Sequence, residues 1–347
     1  VSVSDVVWYF VASLTPVALL MLAFLDESIW GYVALGYITL FVLWMDRLGP
    51  RASPGAGHQR HLRLGHILSV TLALLHFPLL ALGVWVLGNT PPRTDTIASG
   101  LALGLFMGQV SNSNAHELIH ASHRWSRRLG VAVYSSMLFG HHASAHPLVH
   151  HVHVASAKDP NSARPGEGFY RFAPRAWIGS FKSGLKAETA RRARQSHARG
   201  SHPYVGYLAG SLLALSTAWL LAGWGGVAIF LSLAIYAQMQ LLLSDYVQHY
   251  GLRRQKKANG KPEPVGPHHS WNAPHWYSAA LMLNAPRHSD HHAHPNRSFP
   301  ELRLDPQTMP MLPHPLPIMA AIALVPPIWR RIMDPRAAYW RRLAESR

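Results

Sequence analysis

Six runs of apolar residues dominate the chain, at 6–25, 29–44, 66–87, 97–115, 204–221 and 226–247. Each approaches the roughly 17–25 residues that an α-helix needs to cross a hydrocarbon core about 30 Å thick. The pattern predicts an all-α integral membrane protein with six transmembrane helices. A seventh apolar piece, 315–329, carries Pro315, Pro317, Pro326 and Pro327. Proline removes helix hydrogen bonds, so this piece is expected to dock or lie at an interface rather than span. The first run lacks the basic start and small-residue cleavage site of a signal peptide and is read as mature structure.

The polar intervals 116–203 and 248–347 are expected to form a cap over one end of the spans, so that the whole chain, 1–347, is one membrane-embedded domain. Within the first interval, 129–140 is apolar but too short to span, and 182–199 is a basic stretch suited to a solvated or headgroup-facing helix. Gly- and Pro-rich linkers stand at 49–57 and 259–266, and no internal repeat is evident.

Charge orients this arrangement. Of the 32 Lys and Arg, all but Arg93 fall on the side shared by the 2–3 and 4–5 connections and the C-terminal tail. By the positive-inside tendency that side is cytoplasmic, with Asp26 and Glu27 in a short opposite loop. The cap is therefore expected on the cytoplasmic side of the membrane. The net charge of +16 suits anionic headgroups and an acidic protein partner rather than nucleic acid. Cysteine is absent, which excludes disulfides, thiolate ligands and iron–sulfur centres within this chain.

The chemistry lies in histidine clusters beside the span ends. His116 and His120 fall at i and i+4, so both rings leave one helical face. The string also matches His-Glu-x-x-His, which in a zinc protease would make Glu117 a general base. A second cluster holds His146, His150 and His151, the last two about 100° apart on a helix and so able to serve neighbouring metals. The third is His288, His291 and His292, with Asp290 between them as an acceptor for an imidazole N–H. His249 follows the sixth run, with Asp245 one turn before it.

These nine imidazoles exceed what one metal uses and suit two metals with four or five nitrogen ligands each. Glu117, Asp245, Asp290 and Asp159 can offset the charge of two divalent ions, Asp159 reading equally well as a capping residue. His58, His61, His66, His197, His202 and His314 have no partner at ligand spacing. His123, His141, His142, His153, His268, His269, His275 and His294 are expected to support rather than bind. A metal transporter would place its ligands near mid-membrane, which the clustering at one face disfavours.

Four strings, His-Glu-Leu-Ile-His120, His146-Pro-Leu-Val-His-His151, Gln248-His-Tyr-Gly-Leu252 and Arg287-His-Ser-Asp-His-His-Ala293, resemble the three histidine boxes and the His-Tyr-Gly motif of the membrane-bound non-haem di-iron alkane monooxygenases. That family sits within the histidine-box superfamily of desaturases and hydroxylases. The run 155–164 is also similar to the segment after the family's second box. Ala145 and Ala121 depart from it, standing where better-known members carry Glu and Lys.

The resemblance implies a six-helix enzyme with two iron ions held by the nine histidines. It implies O2 as co-substrate and electrons from an acidic rubredoxin served by an NAD(P)H-dependent reductase. The activity implied is hydroxylation of a terminal methyl of an alkane to a primary alcohol. A xylene-type methyl hydroxylase and a lipid desaturase or hydroxylase of the same superfamily are the alternatives. A substrate dissolved in lipid needs an apolar path to the metals, for which Trp44, Phe77, Phe106 and Met107, with Trp30 and Trp85, are the candidates. Gly100, Gly104 and Gly108 suit close helix approach.

Overall fold

The structure, a computed structural model, describes residues 3–26, 29–49, 59–195, 200–258 and 260–345. Glu27, His58, His197, residues 50–57 of the first linker, Asn259 and residues 196–199 of the basic stretch lie outside the described residues. Helices α1 (Val3–Leu25), α2 (Trp30–Leu48) and α3 (Gln59–Asn89) precede α4, which runs over 94–120. Short helices α5 (Arg124–Ser136) and α6 (142–153) lead to α7 (Phe169–Ala193) and the long α8 (Pro203–Gln248). The remainder carries α9 (Trp276–Leu281), α10 (His288–Ala293), α11 (Leu316–Ala323) and α12 (Pro326–Glu345). Among the described residues there is no strand beyond isolated bridges.

Among the described residues, four helical segments are long and apolar enough to cross a membrane: Val6–Leu25, Trp30–Leu48, His61–Asn89 and Pro203–Gln248. The apolar run at 97–115 lies within α4, which is not among these four. The runs 204–221 and 226–247 both lie in α8, and this helix does not run straight. Ser211 Oγ donates to the Ser135 carbonyl (3.0 Å) and Gln238 Nε2 to the Met137 carbonyl (2.8 Å). Residues 211 and 238 would stand about 40 Å apart on a straight helix. They meet neighbouring carbonyls because the chain reverses at Ala222 (φ −151°, ψ 28°) and Gly223 (φ 55°, ψ −140°). The positive φ at Gly223 is open to glycine without a Cβ penalty.

The two arms of α8 pack closely at this reversal. A Cβ added to Gly226 would overlap the Ala218 carbonyl, and Gly88 at the end of α3 meets Ala222 Cβ. Of the three α4 glycines, Gly104 lies under the Tyr236 ring and Gly108 under the Gln240 amide, while Gly100 makes only ordinary contact with Leu87.

Among the described residues, three short π-helical turns interrupt the helices, at Tyr37–Phe41 in α2, Met107–Ser111 in α4 and His146–His150 in α6. A π-turn leaves carbonyls wanting donors or follows a missing N–H. Thr39 Oγ1 donates to the Leu35 carbonyl (2.6 Å), and Asn112 Nδ2 donates to those of Gly108 (3.1 Å) and Ala237 (2.9 Å). In α6 the cause is Pro147, which has no N–H to offer the preceding turn.

One apolar core fills the space between the long helices, with Phe106, Met107, Leu118 and Phe230 fully buried. A second joins α7, the end of α8, α11 and α12 around Phe172, Tyr246, Trp271 and Trp329. The proline-rich piece docks there, Leu316 and Met319 being buried. Asp46 fastens α9 to α2 by accepting the Tyr277 and Ser278 N–H groups (2.8 and 3.0 Å). His76, to which the sequence assigns no role, ties α3 to α4 and α5 through Ser111 Oγ and Ser136 Oγ (both 2.9 Å). Replacing Gly226 by Val should push the α8 arms apart and destabilise the protein by about 1–3 kcal/mol. Thermal unfolding in detergent checks this, and an unchanged midpoint would mean that the arms are not held this closely.

Candidate metal centre

The ends of α4 and α8 and the short helices α6 and α10 bring the nine histidines together. Their ligand atoms form two groups, each with its atoms within 4.8 Å of one another: His116, His120, His146, His151 and His291, and then His150, His249, His288 and His292. Two local features produce this division. On a regular helix, His146 and His150 (i, i+4) would share a face and His151 would point away. The π-turn His146–His150 widens the helix, bringing i and i+5 together, and Nε2 of His146 and His151 lie 2.9 Å apart. His150 is thereby turned to the other group. Helix α10 splits likewise, with His288 and His292 one turn apart (Nε2 to Nε2, 3.0 Å) and His291 facing the first group.

Further Nε2 pairs lie at 2.8 Å (His116 and His146), 3.1 Å (His151 and His291) and 2.9 Å (His249 and His288). Each ring nitrogen carries one proton or one lone pair, so tautomer choice pairs such atoms two at a time and not as a set. An ion with nitrogen ligands at about 2.1 Å and right angles brings them to about 3 Å of each other, as found here. The Nε2 atoms of His120 and His150 are buried without a hydrogen-bond partner, as a lone pair directed at a metal would be. The donor set therefore fits two ions, with five imidazoles for one and four for the other.

Burial also keeps the rings in the ligating state. It holds His120 down at about 4 and His288 at about 3, helped in both by the charge of His150. His116, His146, His151, His249, His291 and His292 are held well below the ordinary value by burial first and neighbouring imidazoles second. His150 is the exception. Burial pulls it down, but the charge and hydrogen bond of Asp159 together raise it.

Asp159 Oδ2 accepts His150 Nδ1 (2.9 Å) and Ser162 Oγ (2.6 Å), and its Oδ1 accepts the Asn161 N–H (3.0 Å). This fixes the His150 tautomer and leaves Nε2 free. Asp245 stands behind it, accepting Asn161 Nδ2 (2.6 Å). The other two carboxylates are placed differently. Glu117 accepts the Phe299 N–H (3.3 Å), and burial, partly opposed by that bond, pushes it up to about 7. Turned to Phe299 beside five imidazoles, it lacks the arrangement of a protease base. Asp290 accepts from His294 Nδ1 (2.9 Å), Arg297 Nη1 (2.8 Å) and the Arg303 N–H (2.9 Å), thereby holding the loop after α10.

Of the supporting histidines, His269 offers its backbone carbonyl to the His249 ring. His268, His269 and Glu263 also lie within ligand distance of one another. There, however, the Gly266 N–H donates to His269 Nδ1 (2.8 Å), so the proton on Nε2 faces Glu263 (2.9 Å) and leaves no lone pair for a metal. Asn272, missed in the sequence because an amide carries no ligand signal, clamps α10. Its Oδ1 accepts the Ser289 N–H (2.9 Å), and its Nδ2 donates to Ser289 Oγ (2.7 Å) and the Pro310 carbonyl (3.1 Å).

A cavity of about 380 Å³ starts at His116, His146 and His288 and runs between α2, α4, α8 and α11, along Val42, Leu105, Leu241 and Leu316. All three π-turns face it, through Ile38 and Thr39, Gly108 and Gln109, and His146. The aromatic path expected from the sequence is not its wall: Trp44, Phe77, Phe106 and Met107, like Trp30 and Trp85, do not line it. Phe106 and Met107 face the core, and the α4 stripe that meets the cavity is Leu105, Gly108, Gln109, Asn112 and His116, at ordinary helical spacing. Ala145, one of the two departures noted above, is buried against Gly184, a close contact that a longer side chain would open.

A family model for fatty acid desaturase matches residues 96–314, an interval holding all nine converging histidines. The alkane 1-monooxygenase of Pseudomonas putida is 32% identical over 80% of this chain and 69% of its own length. Alkane 1-monooxygenase 1 of Alcanivorax borkumensis is 34% identical over 79% and 68%. The hydroxylase component of a Pseudomonas putida xylene/toluene monooxygenase is 30% identical over 69% and 64%. Matched over most of its length, the chain belongs to the fatty acid desaturase family and is, within it, a relative of the alkane 1-monooxygenases.

Proposed function

We propose that this membrane protein is an alkane 1-monooxygenase, converting a terminal methyl of an alkane to a primary alcohol with O2. The observation that carries the reading is the division of nine imidazoles into sets of five and four beside an apolar cavity that reaches His116, His146 and His288. His116, His120, His146, His151 and His291 would hold one iron, and His150, His249, His288 and His292 the other. When bound, the pair of irons supplies the redox chemistry with O2 that zinc cannot, one oxygen atom entering the product and the other leaving as water.

The chain's own residues do the rest. Burial keeps eight of the rings neutral, and Asp159 orients His150 and balances charge, with Asp245 behind it. Val42, Leu105, Leu241 and Leu316 exclude water and hold an unfunctionalised hydrocarbon end-on, which is how positioning selects a terminal carbon.

The topology proposed is six spans: α1, α2, α3, α4 and the two arms of α8. The fold-back at Gly223 supports this count by giving α8 two passes. The histidines then lie on the basic, cytoplasmic side of a bacterial inner membrane. Electrons are proposed to come from a rubredoxin-like acidic donor, reduced by an NAD(P)H-dependent reductase, for which that basic face is suited.

Iron-loaded protein supplied with rubredoxin, reductase, octane and 18O2 should yield 1-octanol carrying the label. An unlabelled alkene would instead mean a desaturase, and a preference for xylene the aromatic methyl reading. Asp159→Asn keeps the turn but removes the charge on His150, and should weaken iron binding about 10-fold or more. Iron content after dialysis against a graded chelator measures it, and wild-type retention would remove Asp159 from the site. Leu105 lies eleven residues from His116, about 16 Å along α4. Leu105→Trp should shift the product profile towards shorter alkanes at unchanged iron content, and an unaltered profile would mean the substrate does not lie along this cavity.

A further inference from the structure

Beside the ligand-bearing end of α4, and apart from the cavity that reaches the histidines, a groove of about 310 Å³ runs between α5 and the start of α8. Arg124, Arg127 and Arg128 border it with Ile119, Val131 and Tyr207. Among the described residues none of the three arginines makes an ion pair, though Arg127 Nη1 donates to the Ala121 carbonyl (3.3 Å). The carboxylate on that side, Glu188, is buried and already engaged by Arg191 (2.5 Å) and Ser144 Oγ (3.0 Å). Three arginines thus border an open groove with no ion-pair partner among the described residues.

The surroundings say what kind of anion fits. Arg128 stacks on Trp125 (4.7 Å), whose ring is 68% exposed, as an interfacial anchor would be. Tyr207 also borders an adjoining groove of about 320 Å³ walled by Trp177, Ile178, Phe181 and Leu208, with Lys182 at its side. Beyond it Leu208 and Leu212 stay exposed on the first arm of α8. A basic pocket thus continues into an apolar track on a membrane-spanning helix, which matches a phosphate head followed by acyl chains. An acidic protein would use the arginines but leave the apolar track uncovered.

We infer that Arg124, Arg127 and Arg128 bind the phosphate of one anionic phospholipid whose acyl chains lie along Leu208 and Leu212. The inference needs only that the chain sits in a membrane and does not depend on the reaction at the metals. The lipid would brace the outer side of α5, which packs on the His116 and His120 segment: a Cβ on Gly130 of α5 would lie 2.9 Å from Leu118 Cβ.

Full-length protein, equilibrated with vesicles of equal dioleoyl phosphatidylglycerol and dioleoyl phosphatidylcholine and re-extracted, should retain one phosphatidylglycerol in native mass spectrometry. Each Arg→Gln change should weaken retention about five-fold, and all three together on the order of a hundred-fold. The residues are at the surface, so the single variants give the same gradient if the triple variant folds poorly. Leu208→Asp should weaken lipid retention while leaving inorganic phosphate binding unchanged. Equal retention of phosphatidylcholine, or wild-type retention by the arginine variants, would overturn the site. Displacement of the lipid by millimolar inorganic phosphate would make it a free-anion site instead. Protection of the three arginines from phenylglyoxal by an acidic soluble protein, but not by the phosphatidylglycerol vesicles, would make the groove a protein interface.

Discussion

A histidine that binds metal must be neutral and must arrive with its lone pair already aimed, and inside a protein both conditions come from burial. Nine rings gathered in two groups, each with its ligand atoms within 4.8 Å of one another, cannot all be paired by any assignment of tautomers, and burial holds eight of them neutral. The surrounding fold can be understood as the scaffold this crowding requires. Two apolar cores keep water away from the rings, and carboxylates approach from behind rather than joining the clusters. The Asn272 clamp holds the six-residue α10, too short to be stable by itself, in register.

The same crowding makes the helix irregularities intelligible. A π-turn costs hydrogen-bond quality, and each of the three here is compensated or caused by one side chain: Thr39, Asn112 or Pro147. All three face the cavity, and one of them sorts His146, His150 and His151 between the two groups of rings. These irregular turns lie where substrate and metal would meet, while other residues of the same helices pack into the core.

Much of this was legible in the residues. Long apolar runs located the helices, and histidine spacing identified all nine converging rings, including the separation of His150 from His151. What could not be read were features lacking a periodic or ligand-type signature. Which face of an apolar helix meets a cavity and which meets the core depends on its neighbours, so Phe106 and Met107 looked like a substrate path when they are core, and Leu105 and Gly108 were passed over. Asp159 looked as much like a cap as a partner because its link to His150 depends on how the 154–162 turn closes. The reversal at Gly223 was implied by two apolar runs with a short gap, but its tightness rests on Gly226 meeting Ala218, a contact no composition reveals.

Helices α6 and α10 each give rings to both groups, so the two sites are not independent containers. An ion that orders His146 and His151 also fixes the backbone bearing His150, and one that gathers His288 and His292 fixes that bearing His291. The ordering entropy of the second site is thus largely spent when the first is filled, which is the condition for positive cooperativity between two ligands. On the proposed reading, such a chain under metal limitation would favour empty and doubly filled molecules over half-filled ones.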